Sequence, residues 1–194
     1  MRMELIVVDG IDGSGKSTVA EWIAAHYRSR GDKVLIRTHP SDSLYGRLSR
    51  RSLTSQGKLM HTLATVFFIL DVLNSLRRLR GWRDQDKVIF VRYVMATAYL
   101  PRSLYVPGYE FFCKVLPIPG KLLLVDVTPE CALRRIEERE HEREMFENLE
   151  SLEKVRRKVL DLAARGWKVL NNCGSIEDTR AQLTEVLSEW DASS

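Results

Sequence analysis

At 194 residues, 44% hydrophobic and 29% charged, the chain is long enough to bury one core and too short for two ordinary domains; disordered, collagen-like and low-complexity classes are excluded. The balance of 30 Lys and Arg against 26 Asp and Glu leaves +4, too mild to announce a nucleic-acid or membrane partner, yet 21 of the 30 are Arg, the better bidentate clamp for phosphate oxygens. Three scattered cysteines, Cys113, Cys131 and Cys173, form no CxxC pair, and the N-terminus MRMELIVVDG lacks a signal-peptide core, so a reducing, cytoplasmic setting is expected.

Leu5 to Val8 predicts a first strand, and a helical pattern opens near Lys16 and fades by Gly31. Lys33 to Arg37 predicts a second strand, stopped by His39-Pro40. Helices follow around Ser43 to Leu53 and Gln56 to Arg80. Within the latter, Leu59 to Leu76 is long enough to suggest a membrane span, but His61, Asp71 and Asn74 interrupt it, and an Asp at mid-bilayer costs about 3 kcal/mol, so a buried helix of a protein outside the membrane is expected. Val88 to Val91 is a third strand, Lys121 to Val127 a fourth, and Trp167 to Leu170 a fifth. Pro129 to Ala164 reads as two charged helices joined by a mobile segment around Arg139 and Arg143, and Ser175 to Trp190 as a closing helix. Apolar strands alternating with helices predict an α/β fold, a three-layer α/β/α arrangement on a five-stranded parallel sheet, as one domain over 1–194.

Residues 10 to 17 read GIDGSGKS and fit G-x-x-x-x-G-K-[ST] between a predicted strand and a predicted helix. Glycines at 10, 13 and 15 let backbone N–H groups point inward at an anion, and the helix start adds its positive dipole end. Gly10, Asp12, Gly13, Ser14, Gly15, Lys16, Ser17 and Thr18 are therefore the expected ATP-binding residues, with Lys16 on the β- and γ-phosphates and the Ser17 hydroxyl on Mg²⁺. A GTPase would carry a base-reading NKxD, and Asn171-Asn172-Cys173-Gly174 is not one; partitioning ATPases place a second Lys where Ile11 and Asp12 stand. Small-molecule kinases remain.

These residues resemble the thymidylate kinase family. VVDGIDGSGKST is similar to the family's LEGxDGxGKST, with Asp12 in the place that lies near the acceptor's sugar and phosphate. Val91-Arg92-Tyr93 with Ala98-Tyr99 resembles DRYxxSxxAYQ, and Pro129-Glu130 with Ala132, Arg135 and Ile136 resembles PExALxRI. The resemblance implies ATP- and Mg²⁺-dependent phosphoryl transfer to a nucleoside monophosphate, dTMP to dTDP, beneath an arginine-bearing lid at about 137–148. Lys16, Arg92, Arg139 and Arg143 are then the catalytic candidates; Asp12, His39, Arg47, Phe68, Arg92 and Tyr99 are the acceptor-site candidates, with Tyr93 and Tyr105 shaping the same pocket. The apolar third helix could also pack on a twin subunit, since members of that family commonly dimerise.

The departures are specific. Val91 stands in place of the family's Asp, leaving Asp9 as the expected metal-side carboxylate and Asp126 as a structural one. Val72 replaces the Arg that would read thymine beside the aromatic Phe68, and His39-Pro40 replaces Glu-Pro. Two alternatives therefore stand beside the dTMP reading: a kinase for another nucleotide or nucleoside, and a nucleotide-binding module without transferase activity. An Arg-rich nucleic-acid binder using Arg47, Arg50, Arg51, Arg77, Arg78, Arg80 and Arg83 is disfavoured because aromatics do not interleave with these residues.

Overall fold

A computed structural model describes residues 3–41, 43–53, 58–78, 81, 84–138 and 148–193, with backbone alone for 49–53 and 58–66. Five strands, β1 (Glu4–Asp9), β2 (Val34–Thr38), β3 (Lys87–Val91), β4 (Lys121–Asp126) and β5 (Lys168–Asn171), form one parallel sheet in the order β2-β3-β1-β4-β5. The helices are α1 (Lys16–Arg28), α2 (Leu44–Leu53), α3 (Lys58–Arg78), α4 (Tyr105–Val115), α5 (Pro129–Glu137), α6 (Leu149–Ala163) and α7 (Ile176–Ala192), with a 3₁₀ helix at Val94–Tyr99. The α/β class, the five parallel strands and the layering agree with expectation, with strand ends shifted by a residue or so.

The sheet is apolar throughout because both faces are covered. Along β1, Ile6 and Val8 point to one side and Val7 to the other, and Ile89/Val91 against Val88/Phe90 and Leu123/Val125 against Leu122/Leu124 repeat the alternation. Ile6 and Val8 pack under Val19, Ile23 and Tyr27 of α1 and Leu183 and Trp190 of α7. Val7, Phe90 and Leu124 pack under Phe68 and Val72 of α3, Val94 and Met95 of the 3₁₀ helix, and Leu152 and Val159 of α6. Val72 and Asp71 are both buried on α3, so that helix joins the core; among the described residues no helix is long and apolar enough to cross a membrane.

The topology places the site. The chain leaving β1 turns to the α1 face, while the chains leaving β3 and β4 turn to the other face, and a crevice opens at the carboxyl edge beside β1.

The 3₁₀ helix and α4 are absent from the sequence expectation because breakers crowd the region. Pro107 lies in the first turn of α4, where its missing N–H has no acceptor to lose, and Gly108 packs so close to Leu100 that a Cβ there would come within 2.9 Å of Leu100 Cδ1.

Candidate active site

Gly10 to Ser17 forms a tight loop between β1 and α1. Gly13 and Gly15 adopt φ 76° and 84°, and a Cβ on Gly13 would sit 2.5 Å from the Ala132 carbonyl oxygen of α5. Ser14 N–H donates to the Ile11 carbonyl at 3.2 Å. No side chain caps α1, so its first turn presents N–H groups that have no acceptor within the helix. That concave run of amides fits a phosphate chain by shape and by charge.

Lys16 extends back across the loop, its Nζ donating to the Ile11 carbonyl at 3.0 Å and lying 3.5 Å from Asp12 Oδ1. The Arg92 guanidinium also bonds Asp12 Oδ1, and the Tyr99 hydroxyl donates to Asp12 Oδ2 at 2.9 Å. Asp12, 4% exposed, thus gathers the three groups that the sequence assigned separately to donor and acceptor. Asp12, Lys16 and Arg92 line a cleft of about 260 Å³ whose walls also include Gly13, Gly15, Ser17, Thr18, Thr38 and Pro40.

Arg92 occupies a strained backbone conformation, φ 62°, and its surroundings fix it from three directions. Its N–H donates to the Val8 carbonyl at 3.1 Å, its own carbonyl meets His39 Nδ1 at 3.0 Å, and the next N–H, of Tyr93, donates to Asp9 Oδ2 at 2.8 Å.

Asp9, the expected metal-side carboxylate, is held by backbone. Its carboxylate is 2% exposed, with Oδ1 accepting Gly10 N–H at 3.0 Å and Oδ2 accepting Tyr93 and Met95 N–H at 2.8 and 3.2 Å. Burial pushes this carboxyl above its usual range, against the opposing pull of those amides and of the Lys16 and Arg92 charges. Asp9 thereby fastens the exit of β1 to the exit of β3. Val91 beside it is fully buried under the α1 face. Asp126 is held bidentately by Arg156, at 2.9 and 2.8 Å, as a structural pair.

His39, expected at the acceptor site, is likewise held from within. It lines the cleft, but its ring is buried, with Nε2 on Ser75 Oγ at 2.9 Å and Nδ1 on the Arg92 carbonyl, so neither nitrogen is left for a ligand. Burial lowers its pKa to about 4, although Asp71 and the Arg92 carbonyl pull the other way. Asp71 itself is pushed up by burial and brought below its usual value by bonds from Ser41 and Ser43.

The sign follows from linkage. The unfolded chain binds a proton at His39 near pH 6.5 that the folded chain refuses until about pH 4, so this stability is present above pH 6.5 and is lost as pH falls towards 4. The loss approaches about 3 kcal/mol. Urea unfolding between pH 7 and 4.5 should show it, and His39→Gln should flatten that slope; equal slopes in the two proteins would remove His39 from the explanation.

Phe68 lies next to His39, ring centroids 6.1 Å apart, and lines a small apolar cavity of about 20 Å³ with Val72, Tyr93, Thr97, Phe112 and Leu116. The hydroxyl protons there are already spent, Tyr93 on the Pro117 carbonyl and Thr97 on the Val94 carbonyl. Arg47 is exposed on α2 and is not among the residues named for either cavity, and Tyr105 bonds Asp161 instead of facing the cleft. Arg139 and Arg143 fall outside the described residues.

Two contributors escaped the sequence reading. Asn172 Nδ2 donates to the Ser14 carbonyl at 2.8 Å, and Arg135 donates to the Asn172 carbonyl at 2.7 Å, so the loop leaving β5 buttresses the phosphate loop from behind. The available signal was position: Asn172 follows a strand at the carboxyl edge, where parallel sheets place their ligand-facing loops.

The side chains also fit Mg²⁺. Ser17 offers an exposed hydroxyl on the cleft, a hard oxygen donor of the kind Mg²⁺ takes beside its waters and substrate phosphates.

Residues 8–183 match the family described as thymidylate kinase. A probable thymidylate kinase from Pyrococcus horikoshii is 30% identical, the match covering 96% of this chain and 97% of the relative. A thymidylate kinase from Leptospira borgpetersenii is 31% identical over 78% of this chain and 77% of its own length. The solved structure of thymidylate kinase from Candida albicans superimposes with a TM-score of 0.75 at 18% identity, covering 98% of this chain and 93% of that one, which supports the fold.

Proposed function

This chain belongs to the thymidylate kinase family, and from that premise we propose that it transfers the γ-phosphoryl group of ATP to dTMP, giving ADP and dTDP, as one domain over 1–194 with an arginine-bearing lid at about 137–148. The observation that carries the reading is the meeting of Lys16, from the phosphate loop, and Arg92, from the end of β3, on one carboxylate at one cleft. Two cations that converge there can each exchange Asp12 for a phosphate, Lys16 on the donor side and Arg92 on the acceptor side.

Transfer needs positioning and charge neutralisation more than covalent chemistry. The amides of residues 13–18 hold the donor phosphates, Lys16 follows the charge that develops on the β–γ bridging oxygen, and Arg92 orients the acceptor phosphate. An acceptor oxygen forms its bond to the γ-phosphorus as the bond to the bridging oxygen breaks, and ADP departs. Ser17 is the side chain that would hold Mg²⁺, which would supply charge neutralisation at the transferring phosphates. In this reading Arg139 and Arg143 bring further positive charge from the lid and exclude water. Cytoplasmic location, absence of a nucleic-acid partner and homodimerisation through α3 complete the reading and rest on composition and family.

A second acceptor is favoured by one observation. Beside Phe68, Val72 offers no hydrogen-bonding group and the Tyr93 and Thr97 hydroxyl protons are spent on carbonyls, so discrimination there would rest on shape. Coupled ADP release with Mg-ATP against a panel of deoxy- and ribonucleoside monophosphates and nucleosides tests both readings. The highest kcat/KM is expected for dTMP. A higher value for another monophosphate would move the assignment to that acceptor, and no acceptor-dependent ADP would favour a binding module.

A further inference from the structure

Cys131 and Cys173 are far apart in the sequence and meet in the fold. Cys131 lies in the first turn of α5, its N–H bonding the capping Thr128 hydroxyl at 3.3 Å; Cys173 lies in the loop leaving β5, its Sγ accepting Thr128 N–H at 3.0 Å. The Cys173 thiol also donates to the Thr128 hydroxyl at 3.7 Å, so the two cysteines meet on one side chain, and both residues are partly exposed. The surroundings are electropositive: the Arg134 guanidinium donates to Cys131 Sγ at 3.6 Å, and the Arg135 charge reaches Cys173. Burial pushes the Cys173 thiol up, but the Thr128 bonds, the Cys131 thiol and Arg135 together bring it below the usual value. Cys113, on α4, is raised by burial instead. Thiolates are the reactive form, so Cys173 is the nucleophile of the pair and Cys131 the thiol beside it that resolves the product.

Each of the two adjoins a residue that touches the phosphate loop. Next to Cys131, Ala132 packs against Gly13; next to Cys173, Asn172 bonds the Ser14 carbonyl and lies where a Cβ on Gly15 would stand 2.5 Å from Nδ2. Arg135 ties α5 to the Asn172 carbonyl.

We propose that Cys131 and Cys173 are an oxidant-responsive pair that closes to a disulfide with peroxide and thereby resets the phosphate loop. The Cys173 thiolate attacks one peroxide oxygen, the O–O bond breaks, and hydroxide leaves and takes up a proton as water. The Cys131 thiolate then attacks the sulfenic sulfur, the S–O bond breaks, and a second water departs. Two electrons pass from two thiols to one peroxide. An S–S bond of about 2.05 Å between them draws the first turn of α5 and the loop after β5 together and carries Ala132 and Asn172 with them.

The test uses the full chain, reduced, freed of reductant and treated with stoichiometric hydrogen peroxide. Titratable thiols are expected to fall from three to one, with Cys113 the one remaining, a mass loss of about 2 Da, and a mapped link between positions 131 and 173. Cys131→Ser and Cys173→Ser should each abolish the mass loss, and Cys113→Ser should not. Hydrogen exchange of residues 10–18 should change on oxidation and return with dithiothreitol. Three thiols remaining, stepwise oxygen addition without a link, or a link that leaves exchange at 10–18 unaltered would overturn the proposal. None of these readouts requires nucleotide, so their outcome is separate from that of the kinase assay.

Discussion

Replacing Lys16 by Ala should lower kcat for acceptor-dependent ADP release by about 100-fold to 1,000-fold, the cost of deleting one preorganised donor to charge that develops in a transition state. The variant should remain folded. Lys16 is 7% exposed and bonds the Ile11 carbonyl and Asp12, and Asp12 keeps the Arg92 guanidinium and the Tyr99 hydroxyl when the ammonium is removed. Circular dichroism and thermal unfolding close to the parent, together with the kinetic loss, would place the effect in the chemistry. Turnover within about threefold of the parent would withdraw Lys16 from the role.

Arg92 carries two separable properties, a cation and a strained backbone. Truncation to Ala and to Gly removes the guanidinium equally, and either should reduce kcat/KM for the acceptor by about 100-fold, equivalent to losing about 3 kcal/mol from a charge-assisted contact. The two variants should differ in stability. At φ 62° an alanine Cβ keeps the left-handed penalty and glycine does not, so Gly should exceed Ala by about 1 kcal/mol, a rise in melting temperature of about 3 °C for a chain of this length. Equal melting temperatures would show that the bonds to Val8, His39 and Asp9 do not hold residue 92 against a backbone preference. Unchanged acceptor kinetics in both would take Arg92 out of the acceptor site.

The sheet was legible because its signal is local. Runs such as Ile6-Val7-Val8 and Leu122 to Val125 are apolar at every position, and only a strand covered on both faces uses such a run. The phosphate loop was legible for the same reason, since its glycines and Lys16 lie within a few residues of one another. The contacts hidden from the sequence come from partners distant along the chain. Ser75 and the Arg92 carbonyl take both nitrogens of His39, and the Tyr93 and Met95 amides reach Asp9 from the segment that follows β3. Asn172 was invisible because its contact with Ser14 is made by a side chain arriving from the far end of the chain. Proline and glycine at 107 and 108 hid α4, because a breaker in a first helical turn looks in sequence like one that ends a helix.

One buried carboxylate joins the two halves of the cleft. Because Asp9 grips Gly10 on one side and Tyr93 and Met95 on the other, it holds the span between the amide nest and the guanidinium of Arg92 together with the Arg92 N–H bond to the Val8 carbonyl, like the gauge of a rail track. In-line displacement tolerates little error in that span, since about 1 Å of misplacement costs about 100-fold in rate. Lengthening the side chain by one methylene, or turning one of its oxygens into an amide, would alter the gauge before either rail was touched.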